Sequence, residues 1–240
     1  MLSVICPVYN EGRNIAALLK RLEREIDIPI ELIVVYDRDD DDTLPALEPL
    51  RPPFPVRIVK NQLGRGALNA IKTGFREATH ESTLVVMADL SDDLSAVSRM
   101  YQLITEGYDV VCGSRYMAGG RQIGGPFLKG LLSRTAGLTL YWLAGVPTRD
   151  VTNSFKMYRT AFLREFRFES TGGFEIGMEA VVKAYVSGRR VAEVPSTWTD
   201  RVEGASRFRL WKWLPSYLRW YFYAFRGRLP WRDRRAQSRA

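Results

Sequence analysis

Cysteine and histidine are scarce in this chain of 240 residues, which has two of the first and one of the second. Cys6 and Cys112 each lie inside an apolar run, too few for a disulfide framework or a zinc-ligand spacing, and they suit a reducing compartment. A lone His80 excludes a catalytic pair of histidines. No apolar run reaches about 18 residues, so no ordinary membrane span is expected. Met1 is followed by neither a basic segment nor a signal-peptide cleavage site, and the expected address is the cytoplasm.

What is present is a core-forming composition, 46% hydrophobic and 26% charged, enough for one large domain and unlike a disordered or fibrous chain. The formal net charge of +8 is unevenly placed. Residues 201–240 carry ten arginines and one lysine against Glu203 and Asp233, which leaves residues 1–200 close to neutral. A neutral body argues against a basic groove that tracks nucleic acid. A basic, aromatic end suits contact with an anionic surface.

Apolar, β-branched runs begin near Leu2, Glu31, Val56, Thr83 and Tyr108 at nearly even intervals. Between the first two, Ile15, Leu18, Leu19 and Leu22 recur at helical spacing, and Ala67 to Ala78 and Leu94 to Thr105 fill later gaps in the same way. Near-continuous hydrophobic strands alternating with helices predict an α/β fold with a mostly parallel sheet covered on both faces. Its ligand is expected beyond the carboxyl ends of the strands. From Gly113 to Pro147 the rhythm gives way to a glycine-rich stretch and a helix containing Leu128, Leu131, Leu132 and Leu138, where a lid is expected.

The strand ends carry the chemistry. The first is followed by Pro7-Val8-Tyr9-Asn10-Glu11-Gly12, and the second by Asp37 and the acidic run Asp39 to Asp42. After the third, Gly64-Arg65-Gly66-Ala67 opens a helix, where glycines allow close backbone approach and the helix amino end attracts a negative group. After the fourth comes Ala88-Asp89-Leu90-Ser91-Asp92-Asp93, whose mutual repulsion a divalent cation would relieve. A hard metal beside a diphosphate accounts for both features. An EF-hand reading of Asp37 to Glu48 fails on Asp42 at the glycine position and on Pro45. The acidic run is expected to be solvated, with only Asp37 facing the ligand.

Taken in order, Pro7-Val8-Tyr9-Asn10-Glu11, Asp37, Gly64-Arg65-Gly66-Ala67, Ala88-Asp89-Leu90, Gly113-Ser114-Arg115-Tyr116 and Arg201 to Arg207 resemble the family 2 glycosyltransferases of the GT-A fold, and most of all the polyprenyl-phosphate glycosyltransferases. The resemblance implies a GT-A domain over residues 1–207 and a basic, aromatic tail over 208–240 that forms an amphipathic helix on the membrane surface. It implies an inverting hexosyltransferase, peripheral on the cytoplasmic face, that uses a GDP- or UDP-linked sugar, a polyprenyl phosphate and Mg²⁺ or Mn²⁺. By position it implies donor contacts from Pro7, Tyr9, Glu11, Asp37, Gly64, Gly66 and Ala88, and a metal held by Asp89 with Ser91 and Asp92. Arg115, Arg134 and Arg201 would act on the phosphates beside Asp89 and Asp92, and Asn153, Ser154, Lys156 and Arg207 would receive the acceptor phosphate.

Four positions depart from the family pattern: Met87 where an aspartate is common, Ser91 for glutamine, Tyr36 for aspartate and Glu175 where some relatives have lysine. An anionic acceptor needs no strong base, whereas a hydroxyl acceptor would need a carboxylate such as Asp92, Asp150 or Glu175. A binding protein without turnover is the third reading.

Overall fold

The structure is a computed structural model that describes residues 1–200 and 210–228. The expected strands are β1 (Leu2–Pro7), β2 (Ile30–Tyr36), β3 (Val56–Lys60), β4 (Ser82–Val85) and β5 (Val110–Ser114). Between them run α1 (Gly12–Glu25), α2 (Thr43–Leu47), α3 (Ala67–Glu77) and α4 (Val97–Thr105). The chain continues through β6 (Arg121–Ile123), α5 (Phe127–Thr139), a π-helical stretch Leu140–Ala144, β7 (Lys156–Arg159), α6 (Thr160–Glu165), α7 (Ile176–Val186), β8 (Val191–Pro195), β9 (Thr197–Thr199) and α8 (Leu210–Ala224).

Seven strands form one sheet in the order β3-β2-β1-β4-β7-β5-β8. Only β7 is antiparallel, and it lies between β4 and β5. Strands β1 and β2 are buried along nearly their whole length, which explains why their sequences do not alternate. Ile15, Leu18, Leu19 and Leu22 of α1 join Val4, Leu32 and Met100 in the core on one face. On the other face Ile5 and Ile33 meet α3, α7 and α8.

The glycine-rich stretch expected to be a lid contains β6, which pairs in parallel with β9 and so is anchored on the chain beyond β8. Part of the expected tail is a helix with one face against the body. Helix α8 runs through Pro215, and its Trp220 and Ala224 are buried among the residues that α7 and the sheet bury. Tyr217, Tyr221 and Phe225 pack beside them, so this face of α8 covers apolar area that the sheet side would otherwise expose. Among the described residues no helix is long and apolar enough to cross a membrane.

Candidate active site

The carboxyl ends of β1, β2, β4 and β5 open onto a cavity of about 1230 Å³, closed on its far side by α5, α7 and α8. Pro7, Tyr9, Glu11, Asp37 and Gly66 line one end. Asn10 sits there at φ 55°, a left-handed conformation that a non-glycine residue keeps only when its surroundings enforce it. They do so through the acidic run. Asp41 is 2% exposed and accepts the Asn10 N–H through both carboxylate oxygens at 3.1 Å and the Thr43 N–H at 2.9 Å. Thr43 Oγ1 takes the Glu11 N–H at 2.9 Å, and Asp42 takes that of Gly12 at 2.9 Å. The expectation of a wholly solvated run is thus corrected: Asp39 and Asp40 are surface ion-pair partners of Lys60 and Arg38, whereas Asp41 and Asp42 brace the loop after β1.

Asp37 accepts the Gly66 N–H and an N–H of the Asn61 amide, each at 2.7 Å, and so ties the end of β2 to the start of α3. Gly64 supplies the turn at φ 100° and its carbonyl to Asn61, but it lies outside the cavity lining.

At the end of β4, Met87, Ala88, Asp89 and Ser91 face the cavity. Asp89 is 9% exposed and accepts the Ser91 N–H at 3.2 Å across Leu90, which is itself at φ 63°. Asp92 does not line the cavity. Its Oδ2 takes the Met87 N–H at 2.9 Å, and its Oδ1 is buried with no hydrogen-bond partner among the described residues. Burial, helped by the nearby Asp89 and opposed by the Met87 N–H, pushes its pKa up to about 7. Arg21 of α1 reaches this loop and donates to the carbonyls of Leu90 and Asp92 at 2.9 Å, a support that nothing in the local sequence announces.

The opposite lip is built on Arg115, at the end of β5. Its Nε and Nη2 donate to Asp150 at 2.7 and 2.9 Å, its backbone N–H to the same carboxylate at 3.0 Å, and its Nη2 to Ser133 of α5 at 2.9 Å. Both side chains of the pair are almost wholly buried. Burial alone would raise the Asp150 pKa, but the guanidinium beside it outweighs burial and holds the carboxyl below its ordinary value. Asn153 and Ser154 line the cavity, with the Asn153 amide donating to the Gly113 carbonyl at 2.9 Å.

Two expected phosphate contacts are placed differently, and two fall outside the described residues. Lys156 is fully buried under the cavity floor, donating to the carbonyls of Val151 and Asn153, so it supports the turn that carries Asn153 and Ser154. Arg134 is exposed on α5 outside the cavity lining, where Lys129 and Ser133 stand instead. Arg201 and Arg207 lie outside the described residues.

The far end is apolar and aromatic, walled by Met178 of α7, by Trp198 of β9, and by Phe174, Trp213 and Tyr217. Trp198 and Phe174 lie outside the strand-end motifs, and only the fold brings them to the cavity. Cys6 and Cys112 are core thiols whose pKa values burial raises, Cys112 to about 11, and neither lines the cavity.

An acidic loop at the carboxyl edge of a mostly parallel sheet, facing both a polar strand-end cleft and an arginine-bearing lip, is a ligand site of the kind open α/β sheets build. The glycosyl transferase family 2 model matches residues 3–167, and the chain belongs to that family. Among curated relatives it is 30% identical over 211 residues to the dolichol-phosphate mannosyltransferase of Pyrococcus furiosus, which covers 86% of this chain and 59% of that protein. It is 30% identical over 213 residues to the polyprenol monophosphomannose synthase of Mycolicibacterium smegmatis, with coverages of 85% and 79%. The chain thus spans well under two thirds of the first relative and most of the second. Among solved structures, glucosyl-3-phosphoglycerate synthase of Mycobacterium tuberculosis in complex with UDP superposes at a TM-score of 0.65. That likeness has 17% identity and covers 96% of this chain and 81% of the other. S. aureus TarS in complex with UDP-GlcNAc gives 0.59 at 22% identity, over 85% and 59%. These two likenesses establish the fold.

Among the described residues no group of three or more acidic, cysteine or histidine side chains is gathered to enclose a metal. The residues present fit a different arrangement, in which Asp89 is the carboxylate of the loop after β4 that faces the cavity. Mg²⁺ and Mn²⁺ bind in this way, through one or two carboxylates together with a substrate's phosphates.

Proposed function

We propose that this chain transfers a hexose, with inversion, from a GDP- or UDP-linked sugar to a polyprenyl phosphate, using Mg²⁺ or Mn²⁺ held at Asp89. The names of both curated relatives support the acceptor class. The observation that carries the reading is the fate of the three carboxylates the sequence offers as bases for a hydroxyl acceptor. Asp150 is committed to Arg115, Glu175 to the backbone N–H groups of Gly172 and Gly173, and Asp92 is buried away from the cavity. An acceptor that arrives already ionised needs none of them.

In this mechanism the polar end holds the nucleotide, with Asp37 and the braced Tyr9–Glu11 loop beside base and ribose, and the Gly66 end of α3 close to phosphate. A bound divalent ion would offset the charge that develops on the leaving diphosphate. Arg115, locked by Asp150, Ser133 and Thr152, presents a fixed cation for phosphate beside Asn153 and Ser154. A phosphate oxygen of the acceptor attacks the anomeric carbon from the face opposite the diphosphate. The new C–O bond forms as the old one breaks, and the electron pair leaves with the nucleoside diphosphate. The aromatic end accepts the first apolar part of the lipid.

The membrane reading extends beyond the tail. Phe127, Leu128 and Leu131 of α5, Trp142 and Leu143 after it, and Phe222 of α8 are all exposed, an apolar set that suits insertion at a lipid interface. Residues 127–143 therefore join the basic tail in the peripheral docking we assign to the cytoplasmic face.

Incubation with labelled GDP- and UDP-sugars, polyprenyl phosphate and Mn²⁺ tests the reading, with a labelled glycolipid as the expected product. Transfer only to soluble saccharides would replace the acceptor class, and nucleotide binding without any product would reject transfer.

A further inference from the structure

The stretch between α6 and α7 has no regular secondary structure, yet its backbone polar groups are taken up one after another by buried side chains. Glu179 of α7 accepts the N–H groups of Glu169 and Ser170 at 2.6 and 2.8 Å, and Glu175 accepts those of Gly172 and Gly173 at 2.6 and 2.5 Å. Lys183, one turn after Glu179, pairs with it at 2.7 Å and donates to the Arg167 carbonyl at 2.6 Å. Lys72 of α3 caps the Ser170 carbonyl at 2.8 Å, and the Trp220 indole donates to the Ser170 hydroxyl at 3.0 Å.

Both glutamates are fully buried, and desolvating a carboxylate is tolerated here because each is ringed by backbone donors. The outcome is visible at Phe174. Its ring meets that of Trp213 at 5.9 Å between centroids and 70° between planes, and both rings line the cavity. The approach depends on Gly173, where an added Cβ would lie 3.0 Å from the Trp213 ring. At Gly172 it would lie 2.9 Å from Glu175 Oε1 and 3.1 Å from Ser216 Oγ.

We propose that Glu175 is a positioning residue for the acceptor end of the cavity: its carboxylate fixes Gly172 and Gly173 so that Phe174 and Trp213 stand as one wall between α7 and α8. The proposal assigns a task to a buried acid that the transfer chemistry leaves unused. It rests on the acceptor reading above only in naming what the wall contacts. Asp37 and the loop after β1, which receive the donor, share no hydrogen bond with Glu175 among the described residues.

The first test is Glu175→Gln, which keeps the volume but turns one acceptor into a donor facing a glycine N–H. The KM for polyprenyl phosphate is expected to rise about tenfold, with donor KM and kcat at saturating acceptor within about twofold of the parent. Gly173→Ala is expected to give the same split by pushing Trp213 away while leaving the carboxylate intact. Hydrogen–deuterium exchange, measured without acceptor, should show faster exchange at Gly172 and Gly173 and across 213–224 in Glu175→Gln, with 64–70 unchanged. Exchange that quickens at the two glycines but not in α8 would overturn the proposal. So would a fall in kcat together with a rise in donor KM at constant acceptor KM. If the parent protein makes no glycolipid, the acceptor reading falls, and the exchange measurement still decides whether Glu175 holds the wall.

Discussion

Asp150 grips Arg115 by backbone and side chain together, through hydrogen bonds of 3.0, 2.7 and 2.9 Å to one buried carboxylate. Replacing one partner of such a pair strands the other, so Asp150→Asn is expected to cost about 3 kcal/mol of stability and to lower turnover through a loosened Arg115. The Asp150 carboxyl is held below its reference value of 3.8, so its stabilisation is complete above that value and fades as pH falls through the lower native one. Urea unfolding of parent and variant should therefore show a constant gap from about pH 7 to about pH 5 that narrows below about pH 4. A gap that widens with acid would contradict the pairing.

Asp89→Asn removes the one carboxylate of the β4 loop that faces the cavity. Turnover is expected to fall about 100-fold or more, and calorimetric binding of UDP or GDP should lose its dependence on Mn²⁺. Nucleotide affinity that still responds to Mn²⁺ in the variant would move the ion elsewhere.

Asp41→Ala leaves the N–H groups of Asn10 and Thr43 without their acceptor. The expected loss is about 2 kcal/mol, seen as a lower denaturation midpoint. Donor KM should rise while acceptor KM stays constant, since the loop it braces carries Tyr9 and Glu11. Equal changes in both constants would argue against a role confined to the donor end.

Phe127 and Trp142 are 83% and 70% exposed, so replacing both with aspartate should leave folding and nucleotide affinity intact. At roughly 1.5–3 kcal/mol for each large side chain withdrawn from lipid, binding to phosphatidylglycerol vesicles should fall by about two orders of magnitude or more. Vesicle flotation would measure it, and undiminished association would put the docking surface elsewhere.

The strand-end positions that line the cavity are legible in the sequence because they follow strands whose full burial makes them conspicuous, as at Pro7 after β1 and Asp89 after β4. The braces were not. Asp41 is one of four consecutive aspartates, and only its contacts across to Asn10 distinguish it from Asp40. Arg21 lies on the polar face of α1, and its reach to Leu90 and Asp92 is a tertiary fact. Strand β7 escaped notice because Lys-Met-Tyr-Arg carries a charge at each end, and a fully buried Lys156 is rare unless backbone carbonyls receive it. The docking of α8 through Trp220 is not legible in its sequence, because a membrane-surface helix and an edge helix packed on its own body share the same mixture of aromatic and basic residues.

The reversed direction of β7 divides the molecule for anyone who would recombine it. Because that strand runs against β4 and β5, the segment leading into it reaches the same rim as the segments leaving its neighbours. One lip thus hangs on β1 to β4 and the other on β5 and the approach to β7. A chimera joined between β4 and β5, with the whole loop after β4 kept with the first four strands, is expected to exchange the donor contacts we propose while keeping the Arg115 lip of its second parent whole.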